Sequence, residues 1–292
     1  GYDRVEVTTG YTSLTLGPNA FAGAINLVSR RPTKEYEASI DCGMTVNSGL
    51  ERTSWFTGAS AAGRKGNFWF KADFFSSERD FVPMSDDYKG ADGSRRRNSN
   101  SDNRNVNLEV AWNPAGQDEY VLRVGIQRGA KNIPTYDGTN IMDNSGYATR
   151  FWEMPFWNRD SISLMTKTRL TDKIVLRNRI WYDGFDNEID SYANLDHLAL
   201  TTTKIKSVYE DYNAGFSSEL AIEAATWYTL QPYLYLRHDN HSSYYKGQLV
   251  TESQDDTTAA IGVENTFGIV ESLTARAGIG ISVLLPGTAT KA

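Results

Sequence analysis

Six aromatic side chains crowd the stretch between Ala130 and Arg159: Tyr136, Tyr147, Phe151, Trp152, Phe156 and Trp157. Aromatic faces grip apolar and ring-bearing ligands, so this set reads as a candidate vestibule with Tyr136, Tyr147, Phe151 and Trp152 as contacts. The plainer reading is loop packing, with Phe156 and Trp157 in an interfacial aromatic belt. Arg95-Arg96-Arg97 offers three guanidinium forks to an anionic chelate or a lipid phosphate, against the plainer reading of a solvated run. His238 and His241 stand three apart, which in a strand puts them on opposite faces where they cannot share an ion. Asp183, Asp186, Glu188 and Asp190 lack the glycine and spacing of a calcium loop and read as a hydrated rim. No Gly-x-Ser-x-Gly, phosphate loop or paired His/carboxylate constellation that would support catalysis is present.

The elements that must position these residues are strands. The chain has 292 residues, 40% hydrophobic and 23% charged, and its 7 Trp, 16 Tyr and 12 Phe are too many for a disordered chain. A formal charge of -6 argues against a nucleic-acid partner, which requires a basic face. The single Cys42 excludes an intrachain disulfide. No apolar run approaches the roughly 18 residues of a spanning helix, and the mean hydropathy is -0.48. A period of two recurs instead: Ile174, Leu176, Asn178, Ile180 and Tyr182 alternate with Val175, Arg177, Arg179, Trp181 and Asp183. About eleven such segments follow, at 36–46, 54–62, 67–77, 104–112, 119–129, 160–170, 173–187, 207–221, 227–240, 257–268 and 272–285. Many exceed the usual five or six residues and reach the roughly 9 to 11 that a tilted spanning strand needs. After the first hairpin, short connections (63–66, 113–118, 171–172, 223–226, 269–271) alternate with long ones (78–103, 130–159, 188–206, 241–256). That alternation, with one apolar and one polar face per strand, predicts a transmembrane antiparallel β-barrel wall. Trp112, Tyr120, Trp157, Trp227 and Tyr228 are expected in its interfacial belts, and Cys42 on its lipid face. Arg123, Arg177, Arg179 and Arg237 then face the lumen, as an anion path or as partners of an inserted domain.

Residues 1–35 depart from this pattern. They run from Arg4-Val5-Glu6-Val7 through a glycine-rich passage to Pro32, with Gly10, Gly17, Ala20, Gly23, Ile25 and Asn26 between. This stretch resembles the end of the plug domain of TonB-dependent outer-membrane receptors. Tyr11 and Leu16 depart from the commoner proline and tyrosine of that pattern. Tyr147–Trp157 with Asp160, Trp181-Tyr182-Asp183 and Asp186–Tyr192 is also similar, more loosely, to receptors for ferric siderophores. The resemblance implies an all-β chain with two parts: 1–35, the C-terminal part of a plug, and 36–292, the first half of a barrel, about 11 of 22 strands. A sheet with open edges and an incomplete plug is therefore expected, as for a fragment. The plug residues so marked are Arg4, Glu6, Gly10, Gly17, Gly23, Asn26, Arg30 and Arg31. Their charges are expected to meet lumen carboxylates such as Asp41, Glu109, Asp211 or Glu219. The resemblance further implies an outer-membrane receptor of a Gram-negative bacterium. Its transported ligand would be a ferric siderophore, or else cobalamin, haem or a glycan, with no resident cofactor and no metal site. Its partners would be the TonB-ExbB-ExbD complex, through an N-terminal box missing here, and membrane lipid and lipopolysaccharide. A passive porin is the lesser alternative.

Overall fold

The computed structural model describes residues 2–9, 13, 17, 23–85, 87–88, 93–114, 117–134, 151–192, 206–247, 251–287 and 289–291. Its regular structure is all strand, and among these residues no helix is long and apolar enough to cross a membrane. β1 (Tyr2–Thr9) and β2 (Gly23–Ser29) form a separate antiparallel pair. Arg4, Glu6 and Asn26 share one face of it, and Val5, Val7, Ile25 and Leu27 share the other. Gly23 has φ +155°, and a Cβ there would meet the Thr8 carbonyl oxygen at 2.5 Å, so this position is reserved for glycine.

The main sheet is built from β3 (Glu37–Val46), β4 (Arg52–Lys65), β5 (Phe68–Arg79) and, after a small hairpin of β6 (Val82–Pro83) and β7 (Arg95–Arg96), β8 (Ser101–Trp112) and β9 (Glu119–Ile133). It continues with β10 (Phe151–Met154), β11 (Trp157–Thr171), β12 (Ile174–Tyr192), β13 (Lys206–Ala225), β14 (Tyr228–Tyr245), β15 (Thr251–Val270), β16 (Leu273–Pro286) and β17 (Thr290–Lys291). β10 and β11 lie between the same neighbours, β9 and β12, as one strand interrupted at Pro155, which lacks the N–H a ladder needs. β17 likewise prolongs β16 along β15. Eleven antiparallel positions result, and each of the eleven expected segments falls on one. Within the described residues β3 and β16 pair with no second neighbour. With directions alternating, both edges run the same way, so they cannot join each other by antiparallel pairing.

Residues from β3 to β11 line one common cavity, which requires the sheet to curve around it. The concave face is mostly polar, apart from large rings and the buried cluster of Trp69, Ala111 and Val121 with Met165, and the convex face is apolar: Leu122, Ile162, Ile180, Ile261, Ile279 and Ile281 all point outward and stay exposed. On the convex side two aromatic belts bound this surface. Near the short turns, Trp112 lies 6.4 Å from Phe68 and 5.4 Å from Tyr120, and Tyr228 lies 5.8 Å from Trp227 and 5.1 Å from Phe267. Near the long connections, Tyr212 stands 5.9 Å from Tyr182 and 6.0 Å from His238. The rise from Tyr228 to His238 along β14 is about 33 Å, or about 25 Å upright at a tilt of about 40°, the height of an outer-membrane apolar band. Between the belts the convex face contains few polar groups, and Asn178 satisfies its amide through Thr166 at 3.1 Å and Ser218 at 2.8 Å.

The strands outrun this band. β13 and β15 each have 20 residues, about 65 Å of chain. Glu188–Tyr192, His241–Tyr245 and Thr251–Asp256, expected in connections, are therefore strand. Above the upper belt both faces are polar, so the alternation that reveals a strand is lost while the ladder continues. There the buried Glu188 and Asp190 are held by Lys206, at 3.2 and 2.6 Å, and Lys246 reaches Glu188 at 2.6 Å.

Candidate functional site

The site is the concave face and what is fastened to it. The strap leaving β2 touches the wall through polar side chains. Arg123 on β9 donates to the Ser29 hydroxyl and, at 3.1 Å, to the buried Glu109 on β8. Arg30 pairs with Glu37 at the start of β3, and Arg31 pairs with Glu119 at the start of β9 at 2.6 Å. Gly17 lies against the Tyr235 ring, 3.6 Å from where its Cβ would stand. Within the hairpin, Glu6 accepts from Asn26 at 2.8 Å and Arg4 at 2.7 Å, which holds its carboxyl below the usual carboxylate range. Arg30 and Arg31 thus pair with Glu37 and Glu119 rather than the four carboxylates expected, and Arg4 and Glu6 pair within their own hairpin and with Asp3. Three of the expected carboxylates have other partners: Glu109 takes Arg123, Asp211 takes His241 at 2.6 Å, and Glu219 takes Arg177 at 2.5 Å and Gln231 at 3.1 Å, while Asp41 lines the concave cavity.

Two cavities open along this face. The first, about 950 Å³, runs from Lys34 and Glu37 near the short turns past Lys71, Asp73 and Arg123. The second, about 750 Å³, lies nearer the long connections between Trp157, Phe185, Asp211, Arg237, His241 and Asp256. Gln127 and Arg159 border both, so the two are contiguous. The lumen arginines are committed to the wall: Arg177 to Glu219, Arg237 to Asp239, and Arg179 over the Trp181 ring at 5.1 Å. Arg159 binds Asp183 at 2.8 Å.

The structure places the sequence candidates unevenly. Tyr136, Tyr147 and Gly10 lie outside the described residues. Trp152 shares the concave side above the cavities, whereas Phe151 lies on the convex side with Glu153, which takes Asn132 at 3.0 Å. Arg95 is bound to Glu51 and stacks over Phe81 at 5.0 Å, and Arg96 reaches the Tyr88 hydroxyl at 3.4 Å. Arg97 closes the same turn, near β7, where Asn98 has φ +55°. His238 and His241 do face opposite ways, towards Thr257 at 3.1 Å and Asp211 at 2.6 Å. Cys42 is exposed on the convex side beside Ile40 and Met44. Trp157 overturns its expectation: it stands on the concave face, 6.2 Å from Phe185 and with the Lys131 ammonium 3.8 Å over its ring, so it lines the second cavity and not a lipid belt. Counting back by twos from Ser163 and Ser161 on β11 assigns it to that face, and this was the available signal.

No family model matches the chain. Solved structures do. It is similar to the copper transporter OprC (15% identity, TM-score 0.74, 96% of this chain and 42% of that one). It is similar also to the siderophore receptor PirA from Acinetobacter baumannii (15%, 0.72, 98% and 44%) and the FrpB iron transporter from Neisseria meningitidis (12%, 0.71, 98% and 50%). The chain carries the fold of TonB-dependent receptors. It spans about half the length of the structures it matches, and its open eleven-position sheet is a partial barrel wall, in line with the resemblance of residues 1–32. These neighbours are transporters and receptors by name, not enzymes.

Proposed function

We propose that the protein acts as a TonB-dependent receptor of a Gram-negative outer membrane, binding and importing a scarce ligand, with a ferric siderophore the best-supported cargo. The observation that carries this reading is the pair of contiguous cavities lined by charged side chains inside a barrel wall, beside a strap fastened by exchangeable polar contacts. Polar, hydrated contacts release and re-form at low cost, whereas an apolar interface resists displacement. The names of the structural neighbours, iron, siderophore and copper transporters, support a metal-complex cargo. In this reading the TonB-ExbB-ExbD complex supplies energy, lipid and lipopolysaccharide surround the convex face, residues 1–35 belong to a plug and 36–292 to the barrel. A passive porin has no use for the strap and its anchors.

The test is growth of an iron-starved host lacking its own receptors, with and without TonB, on a panel of ferric chelates. TonB-dependent growth on at least one chelate supports the proposal. Growth on none, with intact growth on cobalamin or a glycan, removes the siderophore assignment; growth independent of TonB removes the energy-coupled one.

A further inference from the structure

The upper cavity has a charge imbalance that its neighbour does not share. Its lining carries Asp183, Asp211, Asp239 and Asp256 against Arg159 and Arg237, whereas the lower cavity has five basic side chains against three carboxylates. Both arginines of the upper cavity are already engaged, Arg159 by Asp183 and Arg237 by Asp239. Lys131, outside the lining, lies over the Trp157 ring. Asp211 is met by the His241 Nδ1 at 2.6 Å, and Asp256 accepts an amide hydrogen bond from Gln254 at 3.2 Å. Asp239 and Asp256 stand directly opposite each other across β14 and β15, a like-charge register that costs stability in a sheet. Beside Asp211 its cross-strand neighbour Phe185 meets Trp157 edge to face, which adds an aromatic surface to the cavity wall.

We propose that the upper cavity selects ligands by charge, taking neutral or cationic complexes in preference to anionic ones, with Asp211 and Asp256 as the specificity-determining residues. An anion entering here finds no uncommitted guanidinium among the described lining residues and four carboxylates within the cavity wall. A neutral or cationic complex packs against Phe185 and presents donors to Asp211 and Asp256. At about 7 Å in a water-filled cavity each carboxylate changes the local ratio of a unit cation to a unit anion about sevenfold without salt and roughly two- to threefold at physiological ionic strength. The ligand arm of this inference rests on the transport reading above; the charge arm does not.

The charge arm is read by cysteine modification. Asn213→Cys, on a Cys42→Ser background, puts a thiol in the upper cavity. Its rates with a cationic trimethylammonium-ethyl and an anionic sulfonatoethyl methanethiosulfonate are compared as a ratio, which cancels the thiol's own reactivity. The expected ratio exceeds that of a free thiol in solution, falls as salt is added, and at physiological ionic strength drops about two- to threefold with each of Asp211→Asn and Asp256→Asn. A ratio at or below the free-thiol value, or one insensitive to salt, overturns the proposal without reference to either variant. In the growth assay a neutral or cationic ferric tris-hydroxamate should outcompete a trianionic ferric tris-catecholate, and the two substitutions should narrow the gap. Preference for the catecholate overturns the inference alone. Growth on neither, with the expected reagent ratio, counts against the transport reading and leaves the charge selectivity standing.

Discussion

Trp181 covers Gly215. Across the β12–β13 register the indole lies flat over the glycine, in the volume a Cβ would need, and its Nε1 donates to Asn213 at 2.8 Å. The same device recurs where Phe56 lies over Gly43 and Tyr233 over Gly262, so the wall stays thin where large rings lie against it. Gly215→Ala should therefore displace Trp181 and cost about 1–3 kcal/mol. Denaturant midpoints for Gly215→Ala, Trp181→Ala and the double variant check this. The double variant should lose less than the sum of the singles, and additive losses would mean that the two residues are not packed together.

The strap after β2 depends on Arg123 more than on its exposed neighbours. Arg123 joins Ser29 to the buried Glu109, so Arg123→Gln removes the strap contact and leaves a buried carboxylate with a weaker partner. Discounted for the partial exposure of Arg123, about 1–3 kcal/mol of local stability should be lost. Hydrogen exchange in residues 23–31 should accelerate by about five- to 150-fold, while Arg31→Gln, at a surface pair, should change it little. Equal effects of the two substitutions would contradict this ordering.

Acid should loosen the β1–β2 hairpin. The Glu6 carboxyl is held below its ordinary 4.5 chiefly by the Asn26 amide and then by Arg4, so its contribution is complete above that value. It is lost as pH falls through the depressed folded-state value. Comparison of β1 and β2 exchange protection with a Glu6→Gln protein at each pH isolates the effect. The two proteins should differ near neutrality and converge in acid; a difference that grows on acidification has the wrong sign.

Above the lipid band, Lys206 holds two buried carboxylates at once. Lys206→Met should release Asp190 most, because Glu188 retains Lys246. Exchange should rise at Asp190–Tyr192 before it rises at Glu188, by about tenfold or more. Uniform exchange across Glu188–Tyr192 would show that the pairs do not act separately.

How much of this was legible follows from what alternation can report. On β12 the series from Ile174 to Tyr182 reads as a strand because lipid and lumen impose opposite preferences on neighbours. From Glu188 to Tyr192 the same strand has water on both sides, so no period marks it and it reads as a loop. Trp157 was misplaced by proximity to a strand end, although its parity with Ser161 and Ser163 assigns the concave face. The strap residues Arg30 and Arg31 were visible as charges, but Glu37 and Glu119 became their partners through a register that only the assembled sheet defines. The upper cavity was invisible for the same reason: Phe185, Asp211, Arg237 and Asp256 come from four strands and meet only when the sheet curves.

The central claim is a wall with lipid on one side and water on the other. Spin labels placed one at a time at the neighbouring pairs Leu122 and Arg123, Ile162 and Ser163, and Ile180 and Arg179, on a Cys42→Ser background in bilayers, test it directly. Oxygen, which partitions into lipid, should relax the labels at 122, 162 and 180, and a water-soluble nickel chelate those at 123, 163 and 179. Neighbours that respond alike to both agents would contradict the account.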